Sequence, residues 1–204
     1  KIGFDPERDA ARLQSYVDAA PGNVAFRVDA NQGYDLDDAR RFLDAAPVDR
    51  LQVVEQPLPV GRLDDHARLH AEYDATIMLD EEIRTAADLD AAVTAEAAGA
   101  VKFKLMKVGS VEETLELVDR ARRLGFDVVL GNGVQAEVGC LYEAMIWQQA
   151  GLELAGEFNG WLKQETTLVD GLGFEDGCLQ WRAGAYPSPL DSTGDHPIDH
   201  RVWT

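Results

Sequence analysis

An α/β fold of the TIM-like barrel class is what the sequence predicts, on two observations. Short, β-rich apolar runs alternate with amphipathic stretches about a dozen residues long, which implies right-handed crossovers and a parallel sheet. Polar residues then recur at the carboxyl ends of consecutive runs. Asp29, Glu55, Asp80 and Lys104 fall 26, 25 and 24 residues apart, Lys1 stands 28 residues before Asp29, and Asn132 and Glu157 end the next two runs. A doubly wound sheet gathers its site at one switch point, whereas a barrel spreads it over many strand ends.

The expected strands are Val24–Asp29, Leu51–Glu55, Thr76–Asp80, Ala100–Leu105, Asp127–Leu130 and Leu152–Glu157. Helical stretches lie between them at Asp37–Ala45, Leu63–Glu72, Ala86–Ala97, Glu112–Leu124 and Val138–Gln149. Asp5-Pro6 sets a capping side chain before a proline at the first helical position, and Ser110-Val111-Glu112-Glu113 reads as a capping box. Gly99 and Gly125 fall where helices should stop. A full barrel takes about 250 residues. With six runs and a strand stub ending at Lys1, the chain is expected to hold strands two to eight, the first strand and anything before it lying upstream. Residues 1–162 form the expected barrel domain. Residues 163–204, with Gly171, Gly173, Pro187, Pro189 and Pro197, lack helical periodicity and are expected to pack back on the barrel or on a missing N-terminal part.

With 37 acidic against 19 basic side chains, the net charge of −18 disfavours nucleic acid and anionic membrane as partners. No apolar run approaches the roughly 20 residues of a membrane span. Cys140 and Cys178 form no metal or redox pattern, which suits a reducing cytoplasm.

Three acids on adjacent strand ends would repel one another unless they shared a cation. All-oxygen ligation by Asp29, Glu55 and Asp80 suits Mg²⁺, with Mn²⁺ as the alternative, better than Zn²⁺. A lysine one strand further on, Lys104, gains the role of base when a nearby positive field favours its neutral form. A metal can also hold a substrate carboxylate and stabilise the charge that develops when the adjacent carbon loses a proton. Metal plus base therefore reads as proton abstraction α to a carboxylate.

Val28-Asp29-Ala30-Asn31-Gln32-Gly33, Val54-Glu55-Gln56-Pro57-Leu58, Leu79-Asp80-Glu81 and Ile2-Gly3 followed by Asp5-Pro6 resemble the enolase superfamily. Lys104-Leu105-Met106-Lys107-Val108-Gly109 narrows the resemblance to the muconate lactonizing (muconate cycloisomerase) subgroup. The resemblance runs from Lys1 to about Leu162 and implies a (β/α)₇β barrel with an N-terminal capping domain that this chain lacks. It implies metal ligation by Asp29, Glu55 and Asp80. Lys1 matches the second lysine of the family's Lys-x-Lys motif, and Lys104 matches the lysine on the sixth strand, across the substrate from it. Two opposed amines suit racemisation or epimerisation, while cycloisomerisation and dehydration can use one.

Some positions depart from that pattern. Lys102 stands where the subgroup often has asparagine, Ser110 replaces a glycine, and Gln135 and Ala136 stand in place of a Glu-Ser pair. Glu157 resembles the glutamate of cycloisomerases, and the Asp-x-Asp expected of dipeptide epimerases is not present.

Other features have plainer readings. His66 and His70 have a zinc-compatible spacing but lack the metalloprotease glutamate, and are expected as surface residues of an outer helix. Asp35, Asp37 and Asp38 open like a calcium loop without its later glycine and glutamate, so they are expected to serve the next helix's N-terminus. Lys102 shares the strand parity of Lys104 and is expected one layer deeper, salt-bridged to the carboxylates. Asn31, Glu81, Asn132 and Glu157 are the candidate substrate-binding or supporting residues.

The expected function is divalent-metal-dependent proton abstraction α to the carboxylate of a small molecule, through an enediolate, with catalytic Lys104 and Lys1. Cycloisomerisation ranks first, ahead of racemisation or epimerisation of amino-acid derivatives or dipeptides, with an o-succinylbenzoate synthase-like dehydration third. The expected assembly is a homo-oligomer. The rival from another class is a non-catalytic partial barrel.

Overall fold

The computed structural model describes residues 1–131, 133–165 and 172–181. They divide into two compact units. The first comprises Lys1–Lys102 and Arg120–Asp127, and the second comprises Phe103–Asp119 and the described residues from Val128 onward.

The first unit repeats helix and strand: α1 (Pro6–Ala19), β1 (Phe26–Asp29), α2 (Leu36–Ala45), β2 (Leu51–Glu55), α3 (Leu63–Glu72), β3 (Thr76–Leu79), α4 (Ala86–Thr94) and β4 (Ala100–Phe103), whose last residue belongs to the second unit. Neighbouring strands pair in parallel, with Asp29 opposite Glu55, Glu55 opposite Met78 and Leu79 opposite Val101. The parallel crossovers expected from the alternation are present. Strands β3 and β4 are buried throughout, apart from half-buried Thr76, and read as apolar runs interrupted in β4 only by Lys102. Ile2, with no strand assigned, still donates its N–H to the Asp29 carbonyl at 2.9 Å, which sets the Lys1–Ile2 segment beside the end of β1.

Local signals explain most helix ends. Asp5 accepts from the Arg8 N–H with Pro6 at the first helical position, and Asp35 accepts from the Asp38 N–H, which is the capping role expected of that acidic run. Ser110 accepts from the Glu113 N–H ahead of α6 (Val111–Arg123). Gly125 ends α6 at φ +92. Gly99 does not end α4, because the helix stops at Thr94 and the left-handed turn is made by Glu96 at φ 52. Gly99 instead lies where a Cβ would stand 3.2 Å from Thr76 Cγ2 and 3.3 Å from His70 Cε1, so it serves close packing.

The second unit contains α5 (Leu105–Val108), β5 (Asp127–Leu130, after its first residue), α7 (Glu137–Ala150) and a hairpin of β6 (Leu172–Glu175) and β7 (Cys178–Trp181). The expected strand Leu152–Glu157 is reduced to one parallel bridge, Glu157 to Gly131. Just before it, the Leu154 carbonyl accepts from the Trp147 indole N–H at 2.7 Å. The Trp161 ring stacks on Phe174 at 5.9 Å, so the hairpin packs on the turn at Gly160–Lys163. Gly171, Pro187, Pro189 and Pro197 lie outside the described residues, as do most of the expected 163–204 segment's positions.

Candidate active site

In the first unit, the strand register alone brings the acids together. Asp29 and Glu55 end β1 and β2 as register partners, and Asp80 follows β3 directly. Parallel neighbours stand about 4.8 Å apart, within reach of a shared ligand for side chains on one edge.

Their side chains do not meet there. Among the described residues, no three His, Cys, Asp or Glu side chains stand together as a metal-holding group. Two of these acids take ammonium partners, the other way to relieve like-charge repulsion. Lys1 pairs with Asp29, and Lys102 gives its Nζ to both Glu55 oxygens at 3.0 and 2.9 Å. Asp80 is fully buried, and its backbone N–H goes to Gln56 Oε1 at 2.9 Å. The donor chemistry, three carboxylates on adjacent strand ends, fits a hard divalent cation.

Lys102 has the salt-bridged place expected of it, and Glu55 and Lys102 are only 3% and 2% exposed, so the pair is a true buried ion pair. Lys1 also donates to Asn31 Oδ1, while Asn31 donates to Glu81 Oε1 at 3.3 Å. Glu81 therefore meets an amide, and its Oε2 is buried without a partner.

The backbone here is bent out of ordinary regions. Asn31, Gln32 and Gln56 all have positive φ, at 44, 66 and 36, and such departures cluster where structure around them over-determines the conformation. Gln56 is the residue that composition and spacing left without a role. Fully buried, it gives its Nε2 to the Leu58 carbonyl at 3.0 Å and its backbone N–H to Met78, and accepts from Asp80. It thus ties the ends of β2 and β3 together. Pro57 gave no signal of this, since the residue before a proline favours an extended backbone, and Gln56 stands instead at φ 36. Gly3, at φ +96, leaves no room for a Cβ, which would stand 2.3 Å from the Ala30 carbonyl oxygen.

Asp9 anchors the Lys1 segment. Its Oδ2 accepts from the N–H groups of Gly3, Phe4 and Asp5 and from the Tyr34 hydroxyl at 2.7 Å. Burial pushes the Asp9 carboxyl up, but the Phe4 N–H, the Tyr34 hydroxyl and the Asp5 and Gly3 N–H groups outweigh it and hold its pKa below the usual carboxylate value. A folded-state pKa lowered in this way adds stability that is present above the unfolded value near 3.8 and is lost as pH falls through the folded one. Asp9→Asn is expected to cost about 1–3 kcal/mol at neutral pH. In urea unfolding, its deficit against the parent should shrink below about pH 4; a deficit that stays constant or grows on acidification would rule out the ionised carboxylate as the anchor.

In the second unit, Lys104 immediately follows β4 and caps α5, its carbonyl accepting from Lys107 and Val108. Glu143 on α7 fixes that turn. Buried, it accepts from the Leu105 N–H at 2.8 Å and from Gln135 Nε2 at 2.6 Å, joining the segment after Lys104 to the loop after β5. Nothing in the spacing singled out Glu143, an acid inside a helix that otherwise reads as packing. Glu157 lies at the bridge to Gly131, which is at φ +87 and where a Cβ would stand 2.1 Å from the Glu157 carbonyl oxygen. Asn132 lies outside the described residues.

His66 is not a surface residue, as expected of it, but fully buried, with Nδ1 on the Arg62 carbonyl at 3.0 Å. Burial depresses its pKa to about 4, so it packs as a neutral ring. Among the described residues, no helix is long and apolar enough to cross a membrane.

Comparison with known proteins places this arrangement in a lineage. The family model described as enolase C-terminal domain-like matches residues 1–185. A hydrophobic dipeptide epimerase of Roseobacter litoralis is 32% identical over 154 residues, covering 75% of this chain and 42% of that protein. A chloromuconate cycloisomerase of Cupriavidus pinatubonensis is 28% identical over 140 residues, covering 68% of this chain and 38% of the relative. The chain thus spans about two fifths of the length of these curated relatives. The crystal structure of N-succinyl Arg/Lys racemase from Bacillus cereus superposes with a TM-score of 0.79 at 23% identity, over 83% of this chain and 46% of that one, and shows the shared fold. The expected α/β barrel class is therefore the right one, present here in part, and the chain belongs to the enolase C-terminal domain-like family.

Proposed function

We propose that the protein abstracts a proton α to the carboxylate of a small molecule, with Lys104 as the base. The observation that carries this reading is the order of groups along successive strand ends: Lys1 beside β1, Asp29 ending β1, Glu55 ending β2, Asp80 after β3 and Lys104 after β4. In this reading Asp29, Glu55 and Asp80 hold one Mg²⁺ or Mn²⁺. That ion, when bound, supplies positive charge for the substrate carboxylate. Lys104 accepts the α-proton at Nζ, a task suited to an amine placed by a rigid strand end and a braced turn. Lys1, Asn31 and Glu81 line the acid side, where Asn31 links the other two. Asn132 and Glu157 are assigned to the substrate.

Two outcomes of the same first step stand side by side. Glu157 favours cycloisomerisation. Lys1, a second amine among the site residues, favours return of the proton in racemisation or epimerisation, and the similarity to a dipeptide epimerase supports that outcome as well. Dehydration of the o-succinylbenzoate synthase kind uses the same half-reaction. The test is incubation in deuterated water with Mg²⁺ and a panel of dipeptides, N-acylamino acids, muconates and sugar acids. Deuterium entering the α-position of one class, and ceasing when EDTA is added, is the expected result. Exchange with none of them would favour a partial barrel without catalysis, and EDTA-resistant exchange would contradict the metal assignment.

A further inference from the structure

Resting on the metal reading above, we propose that Lys102 is a resident cation of the carboxylate site, one that competes with the divalent ion for Glu55 and thereby sets its affinity. Both Glu55 oxygens already receive the Lys102 ammonium, at 3.0 and 2.9 Å, leaving neither oxygen unengaged. The lysine cannot withdraw to water. It lies within β4, every residue of which is buried, and its own side chain is 3% exposed. A divalent ion arriving at Glu55 therefore meets a fixed positive charge one hydrogen bond from that carboxylate, and like charges brought this close in a poorly screened interior repel strongly. Lys102 also cancels one unit of the negative charge that draws the ion in.

The sign of the effect separates this role from an ordinary supporting one. A partner that only orients a ligand makes metal affinity about 10–100-fold worse when it is removed. A competing cation makes affinity better when removed. The ammonium has a benefit to set against its competition, in that it keeps Glu55 ionised and compensated within an apolar strand environment.

The experiment is Mn²⁺ titration of the whole protein, followed by the electron paramagnetic resonance of free Mn²⁺, for the parent and for Lys102→Asn, Lys102→Gln and Lys102→Arg. The neutral variants should bind Mn²⁺ about tenfold or more tightly than the parent, and Lys102→Arg, which keeps the charge, should stay within about threefold of it. Thermal stabilisation by added Mn²⁺ reads the same order in any variant that folds, and Lys102→Gln substitutes for Lys102→Asn should the latter not fold. Equal or weaker binding by the neutral variants would overturn the inference while leaving the metal reading in place. Failure of the parent and every variant to bind Mn²⁺ would overturn both.

Discussion

Lys104→Ala is expected to reduce exchange of the substrate α-proton with solvent by about 10²–10⁴-fold, the usual contribution of a positioned acid–base group. The side chain springs from the residue that follows β4 and caps α5, and the next N–H is gripped by Glu143. Removing the amine therefore deletes a proton acceptor without loosening the turn that carries it. Metal affinity should change little in Lys104→Ala, which distinguishes loss of the base from collapse of the site. Lys104→Arg should not recover activity, because a guanidinium stays protonated and cannot accept the proton. Full-rate exchange in Lys104→Ala, read by proton NMR in deuterated water, would remove Lys104 from the role.

Glu55→Gln is expected to lower stability by about 3–5 kcal/mol, the scale of breaking a buried ion pair from one side. The substitution preserves volume, so the loss reports charge rather than a cavity. The Lys102 ammonium would keep its buried position on β4 and lose the carboxylate that now takes two of its hydrogen bonds. Adding Lys102→Met to Glu55→Gln should recover more than half of the deficit, since a neutral pair has no charge to compensate. Urea unfolding of the four proteins of this cycle measures it. A Glu55→Gln cost below about 1 kcal/mol would mean that the pair is far better solvated than its burial implies.

Much of this was legible in the chain itself, and the parts that were not have physical reasons. The alternating pattern located β2 at Leu51–Glu55, β5 at Asp127–Leu130 and α3 at Leu63–Glu72 to the residue, because apolar periodicity and burial coincide there. The end of α4 was misplaced because Gly99 suggests a helix stop, while the actual left-handed residue is Glu96. The last expected strand is only a bridge at Glu157, and the Leu154 carbonyl before it takes the indole N–H of Trp147 from the last turn of α7, a side-chain contact that apolar periodicity does not encode. Strand-end spacing placed Asp29, Glu55, Asp80 and Lys104 on consecutive elements but said nothing of side-chain direction, so the Lys1 partner of Asp29 emerged only with the structure. Lys102 was readable from strand parity, whereas Gln56 and Glu143 act through backbone groups brought near by tertiary packing.

Crystals grown with Mn²⁺ and measured for anomalous scattering test the central claim most directly. The account predicts one strong peak about 2.1–2.2 Å from oxygens of Asp29, Glu55 and Asp80, with Asp29 and Glu55 turned away from their lysines to reach it. Data that show Lys1 still on Asp29 and Lys102 still on both Glu55 oxygens, with the manganese bound elsewhere or nowhere, would contradict it.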